Sequence, residues 1–255
     1  LAGHLLKGPK SMDIRRAVNT DENDLLLIVN DTDGSIAAFS LLRAQNVIAP
    51  SEFTTIGDFI DVGVDITDIY TVVKRDDNGT DKYYMEVFDD AVLTDSAVTG
   101  GAVASLDASH IDGQTVHVIS DGLVELDQTA DSAVTFVNPP TTSCQVGLPI
   151  NIEVKTVPID VKTPGGTRIG FKKRIVEVNA LLYETQNIVI NGNLVPIRTL
   201  GAGVLDTAVP EFTGTKVLNG ILGYNDDGQI TVTQSAPLKF TLLGLEYKVS
   251  VYQGR

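Results

Sequence analysis

The stretch His110-Ile-Asp-Gly-Gln-Thr-Val-His-Val-Ile-Ser-Asp-Gly122 sets the reading of the whole chain. Val116 and Val118 alternate with other residues between two Asp-Gly pairs, Asp112-Gly113 and Asp121-Gly122. A second alternation, Leu123-Val-Glu-Leu126, follows at once. Asp-Gly supplies the positive φ angles of a two-residue hairpin loop, and alternation at period two marks a half-buried strand. The stretch is strand, turn and strand, and nothing in it reads as catalytic.

Upstream, residues 13–90 read as two hairpins joined by a further extended region. Leu25-Leu-Leu-Ile-Val29 leads through Asn30–Gly34 into Ser35-Ile-Ala-Ala-Phe39, and Ile69–Val73 leads through Asp76–Gly79 into Tyr83–Phe88. The turn glycines Gly34 and Gly79 stand 45 residues apart. Between them, Glu52 to Ile66 predicts two more strands with Gly57-Asp58 as their turn. Four strands in that spacing match a propeller blade in size. The expectation for residues 1–92 is a propeller-like hairpin region, incomplete because Leu1 opens the chain as a fragment of something longer. Residues 91–109, small and polar with Gly100-Gly101, read as a linker. A small β-barrel-like module at 93–145 follows, too short to bury a large core without its neighbours.

Downstream, residues 146–255 predict an antiparallel sandwich or barrel. Strands are expected at Ile150–Val154, Val157–Val161, Lys173–Leu182, Asn187–Val195, Gln229–Gln234 and Leu238–Val251, with hairpin signals at Asn191-Gly192 and Asp227-Gly228. Phe240, Leu242, Leu245, Tyr247, Val249 and Val251 are the expected core of the last. Ile175 to Thr185 is the one window ambiguous between helix and strand. The predicted class is all-β and antiparallel.

Charge narrows the functions. With 19 Lys and Arg against 33 Asp and Glu, the chain carries a net charge of −14, which disfavours a phosphate-binding surface. One cysteine, Cys144, excludes an internal disulfide and reads as an inert thiol. The longest apolar run, Leu25 to Val29, is far too short to span a membrane as a helix, and no signal-peptide pattern opens the chain.

The site candidates resolve into turns and edges. Asp31/Asp33, Asp76/Asp77/Asp81 and Asp226/Asp227 suggest calcium, but the first ligand position of an EF-hand, counted back from Gly34, Gly79 and Gly228, falls on Val29, Lys74 and Gly223. Asp and Asn also tolerate left-handed turns, which explains these clusters better. Of three histidines, His110 and His117 lie seven apart, on opposite faces of an ideal strand, which disfavours a shared metal. No nucleophile elbow, zinc-binding His-Glu-x-x-His, Walker sequence or dinucleotide fingerprint occurs; Gly201-Ala-Gly203 lacks the third glycine. Arg168 with Lys172-Lys-Arg174 reads as a strand edge guarded by charge. Asn78-Gly-Thr80 fits a glycosylation sequon but is already explained as a turn. No catalytic, cofactor-binding or metal residue is assigned, and no cofactor is expected.

Several segments together resemble the C-terminal part of the tail tubular protein B, or nozzle, family of short-tailed phages and related prophages. Arg15–Leu25 with Val29-Asn30 and Asp33-Gly34 resembles the family's propeller region. His110-x-Asp-Gly-Gln-Thr-Val116 with Asp121-Gly122 resembles a signature in which Leu and Glu usually stand at positions 111 and 112. Val146-Gly-Leu-Pro149 and the run Gln234–Leu238 through Leu242–Leu245 resemble later family segments. The resemblance implies a non-enzymatic virion tail component made in the bacterial host cytoplasm. It further implies a hexameric ring meeting an adaptor and tail fibres or spikes, with DNA passing through unbound. The alternatives are a β-sandwich adhesin or carbohydrate-binding module, and a tail-associated glycan hydrolase.

Overall fold

The computed structural model describes residues 2–20, 22–77, 79–160, 162–163, 166–167, 170–198, 201, 207–220 and 223–252. Among them are 22 strands, three 3-10 turns and no α-helix. Every strand pairing is antiparallel. The all-β class is as the alternation predicted.

The first unit holds two meanders. Strands β1 (Pro9–Arg15), β2 (Asp24–Asn30), β3 (Ile36–Leu42) and β4 (Val47–Phe53) form one sheet in sequence order. Strands β5 (Asp58–Asp65), β6 (Asp68–Asp77) and β7 (Thr80–Val87) form the other. They share one core, in which Leu27, Val29, Ile36 and Ala38 of the first sheet meet Phe59, Val62, Ile69 and Val73 of the second. The unbroken apolar run of β2 follows from burial on both faces. Its other side, at Ile28, packs with Ala37 and Phe39 against Ala2 and Leu5. An up-and-down meander is the strand order of a propeller blade, and here two share a core.

The predicted pair within Glu52–Ile66 is present as strands but not as a hairpin, because β4 and β5 belong to different sheets. Gly57 sits at the crossing with φ +125°, and a Cβ there would stand 2.3 Å from the Lys74 carbonyl oxygen. The glycine is needed for close approach, not for a two-residue turn. The hairpin turn falls instead at Ile66-Thr67, where Asp65 pairs with Asp68 and Ile66 takes φ +59°.

The middle unit corrects the linker expectation. Residues 91–109 contain β8 (Asp95–Gly100) and β9 (Ser105–Asp107). With β10 (Thr115–Ser120), β11 (Leu123–Thr129), β12 (Ala133–Thr135) and β13 (Cys144–Leu148), they form a four-stranded sheet, ordered β11-β10-β13-β8, and a two-stranded β12-β9 sheet. Small residues serve here because strands pass close: a Cβ on Gly100 would meet Leu106 and the Cys144 sulfur. β13 crosses the boundary drawn at 145. The unit buries ten residues of its own, including Val116, Val118, Phe136, Val146 and Leu148, so it has a core without borrowing one.

In the third unit, β14 (Ile152–Lys155), β18 (Val189–Ile190), β19 (Asn193–Leu194) and β21 (Thr231–Gln234) make a sheet ordered β14-β21-β18-β19. Facing it are β20 (Phe212–Asn219), β17 (Lys173–Thr185) and β22 (Leu242–Val251), with β17 central. β15 (Lys162–Thr163) and β16 (Gly166–Thr167) pair as a separate two-stranded ribbon. Both sheets share the core of Ile175, Val178, Ala180, Leu182, Ile188, Ile190, Ile230 and Val232, the arrangement of a sandwich. The ambiguous window at 175–185 is thus strand. Leu242, Leu245, Val249 and Phe240 pack on this core, while Tyr247 is 39% exposed and does not. No strand forms at residues 157–160. β20 was not anticipated, although its burial alternates without a break.

Candidate functional site: a buried ionic joint

The signature histidine leads to the place where the first two units meet. His110 lies in a 3-10 turn, Ser109–Ile111, and not on the strand that carries His117. Its Nε2 stands 2.9 Å from the Ser96 carbonyl oxygen of β8, and its ring meets Tyr84 of β7 edge-on at 6.2 Å. The Ser96 hydroxyl donates to Glu86 of β7. Glu86 receives Arg75 of β6.

Arg75 is the centre of the joint. Parity along β6 points it inward with Ile69, Thr71 and Val73, and its side chain is only 4% exposed. All five of its N–H donors are used. Nε donates to Glu86 Oε1 at 2.9 Å, and Nη2 donates to Glu86 Oε2 at 2.8 Å and Asp95 Oδ1 at 3.2 Å. Nη1 donates to the Thr55 hydroxyl at 2.8 Å and the Ile56 carbonyl at 2.7 Å. The Thr55 hydroxyl in turn donates to Asp95 Oδ2. Burial alone would lower the guanidinium's pKa; the Glu86 hydrogen bonds and the Asp95 and Glu86 charges outweigh it and hold the pKa above its ordinary value. The cluster therefore ties linker 55–57, β6, β7 and β8 together through one bidentate fork, a geometry only Arg provides.

A second polar device sits at the other end of the signature. Asp121 and Gly122, at φ +47° and +80°, make the expected two-residue hairpin between β10 and β11. The Asp121 carboxylate also accepts from the backbone N–H groups of Thr141, Thr142 and Ser143 and from the Thr141 hydroxyl. Those donors, the Thr141 and Ser143 amides above all, bring its pKa down to about 2. Asp112-Gly113 differs: with Asp112 at φ −56°, ψ 140° and Gly113 at φ +75°, it is a type II turn after the 3-10 turn, not a hairpin.

The remaining candidates fall into structural roles. Asp31 pairs with Lys10, Asp33 with Lys7, Asp77 with Lys82 and Asp81 with Lys74. Among the described residues no group of three His, Cys, Asp or Glu side chains is placed to hold a metal. His117 is buried, its Nδ1 without a hydrogen-bond partner and its Nε2 3.5 Å from Asp127. Cys144 is buried, and burial pushes its thiol pKa up. The basic cluster divides: Lys172 and Arg174 are exposed, but Lys173 is fully buried on the central strand β17, its Nζ donating to the Asp226 carbonyl at 2.7 Å. Arg168, Asn78 and Gly203 lie outside the described residues. Among the described residues no helix is long and apolar enough to cross a membrane.

No family model matches the chain, and no curated protein matches it. Arg75 and Asp95 were not singled out in the sequence. The one available signal was parity, since Arg75 continues the inward series Ile69, Thr71, Val73.

Proposed function

We propose that this chain is a structural element of a phage or prophage virion tail, part of a ring-shaped conduit through which DNA passes without specific binding. The observation that carries the reading is the joint itself. A fully hydrogen-bonded guanidinium fixes one β unit to the next, and Ser96 connects it to His110 of the family-like signature, which suits a part that transmits load between packed β units. The net charge of −14 supports it further, because an acidic wall repels sliding DNA. Hexameric assembly and contacts with an adaptor and with fibres or spikes belong to this reading through the resemblance.

The rival readings find less support. Glu86 and Asp95 face one another across Arg75 and are both ion-paired to it, so a cation fills the space where a glycosidic bond would have to lie. Tyr224 and Tyr252 are exposed, but their rings are 77° apart and offer no common stacking plane for a glycan. Electron microscopy of the purified protein tests the proposal. The expected result is closed rings whose lumen is lined with Asp and Glu; a basic lumen, or a protein that forms no rings, overturns it.

A further inference from the structure

One face of the β5-β6-β7 sheet packs in the first unit's core, and the other is bare. Strand parity and register put Asp61, Gly63 and Asp65 of β5 on the bare face, with Asp68, Tyr70, Val72, Lys74 and Asp76 of β6 and Asp81, Tyr83, Met85 and Val87 of β7. Its apolar part is open and runs from Tyr70 and Val72 of β6 to the edge strand β7, where Tyr83 is 63% exposed, Met85 76% and Val87 53%. A groove of about 210 Å³ runs between Asp61, Gly63, Tyr70, Val72 and Met85. That is smaller than the roughly 300–1,000 Å³ of small-molecule sites and fits a side chain. An apolar centre within a polar rim is the anatomy of a protein interface, and exposed apolar patches of this kind mark docking sites.

The rim decides the occupant. Asp61, which also accepts from the Ser11 hydroxyl, with Asp65, Asp68, Asp76 and Asp81, lines the β5 side and both ends of the patch, against one lysine, Lys74, which already pairs with Asp58 and Asp81. A second copy laid face to face would oppose acid to acid, at −14 per chain. An anionic lipid surface or nucleic acid would meet the same repulsion. We propose that this face docks a protein partner whose own surface is apolar at the centre and edged with Lys and Arg. The inference does not rest on the tail reading.

The full chain is titrated with two synthetic extended peptides, one alternating valine with lysine and one alternating valine with glutamate. The lysine peptide is expected to bind at least tenfold more tightly. Gly63 supplies the control: its Cβ position is open space, so a side chain starts there without a clash and Gly63→Leu is expected to fill the groove. Circular dichroism should be unchanged and lysine-peptide affinity should fall at least tenfold. Changing Asp61 and Asp68 to lysine should reverse the preference between peptides. Equal binding of both peptides, binding of neither, or lysine-peptide binding indifferent to Gly63→Leu would overturn the proposal. So would sedimentation showing a dimer that Gly63→Leu dissolves, since a second copy would then be the occupant.

Discussion

Arg75 and Asp121 show how much a single side chain organises here. Arg75 is held by two carboxylates, a hydroxyl and a carbonyl, so its removal leaves Glu86 and Asp95 facing each other with no cation between them. Breaking a buried ion pair from one side costs about 3–5 kcal/mol. Arg75→Leu is therefore expected to lower urea stability by that amount, and adding Glu86→Gln with Asp95→Asn should restore a large share of it. Asp121 acts through pH. Its folded pKa, near 2, lies below the unfolded value of 3.8, so its contribution is present in full above that value and is lost as pH falls towards 2. Denaturation of wild type and Asp121→Asn across pH should show a constant gap near neutrality that closes between the two pKa values. The turn role of Asp121 was legible from Asp-Gly. Its grip on residues 141–143 was not, because those donors arrive from 20 residues away.

At the scale of elements, glycines and parity carry the argument. Gly57 was read as a hairpin turn, yet its φ of +125° and its approach to the Lys74 carbonyl make it the crossing point between two sheets. Gly57→Ala is expected to cost more than about 1–3 kcal/mol from backbone conformation alone, measured by chemical denaturation, since the new methyl also collides with β6. Continuous apolar runs between turn signals locate β2 and β3, and alternation locates β6, β7, β10, β11 and β17. It equally marks β20, where Phe212, Gly214, Lys216 and Leu218 turn inward and Thr213, Thr215, Val217 and Asn219 outward. That strand passed unnoticed because its inward positions include a glycine and a lysine, which conceal an apolar period. β8 and β9 are hidden for a similar reason: the small, polar residues around Gly100-Gly101 read as linker, yet Gly100 lies so close to Leu106 and Cys144 that a Cβ would meet both.

At the scale of the whole molecule, the chain has separate cores joined by polar contacts. Among the described residues, the core around Ile175 and Ile230 draws on none before Ile159, whereas the first and middle units are tied at Arg75. Calorimetry should accordingly resolve more than one transition. Arg75→Leu is expected to lower the transition of the first two units by roughly 10 °C and to leave that of the sandwich in place; a uniform shift would mean that the three units unfold as one. By itself, the sequence determined the all-β class, most of the hairpins and the acidic balance, because alternation, Asp-Gly turns and charge are local properties that a chain displays wherever it is read. Only the tertiary structure decided that Arg75 is a joint and Lys173 a buried core residue, and that an apolar, acid-rimmed face is left open. Each depends on which strands lie beside and across from one another, and pairing over long separations is not written in any one segment.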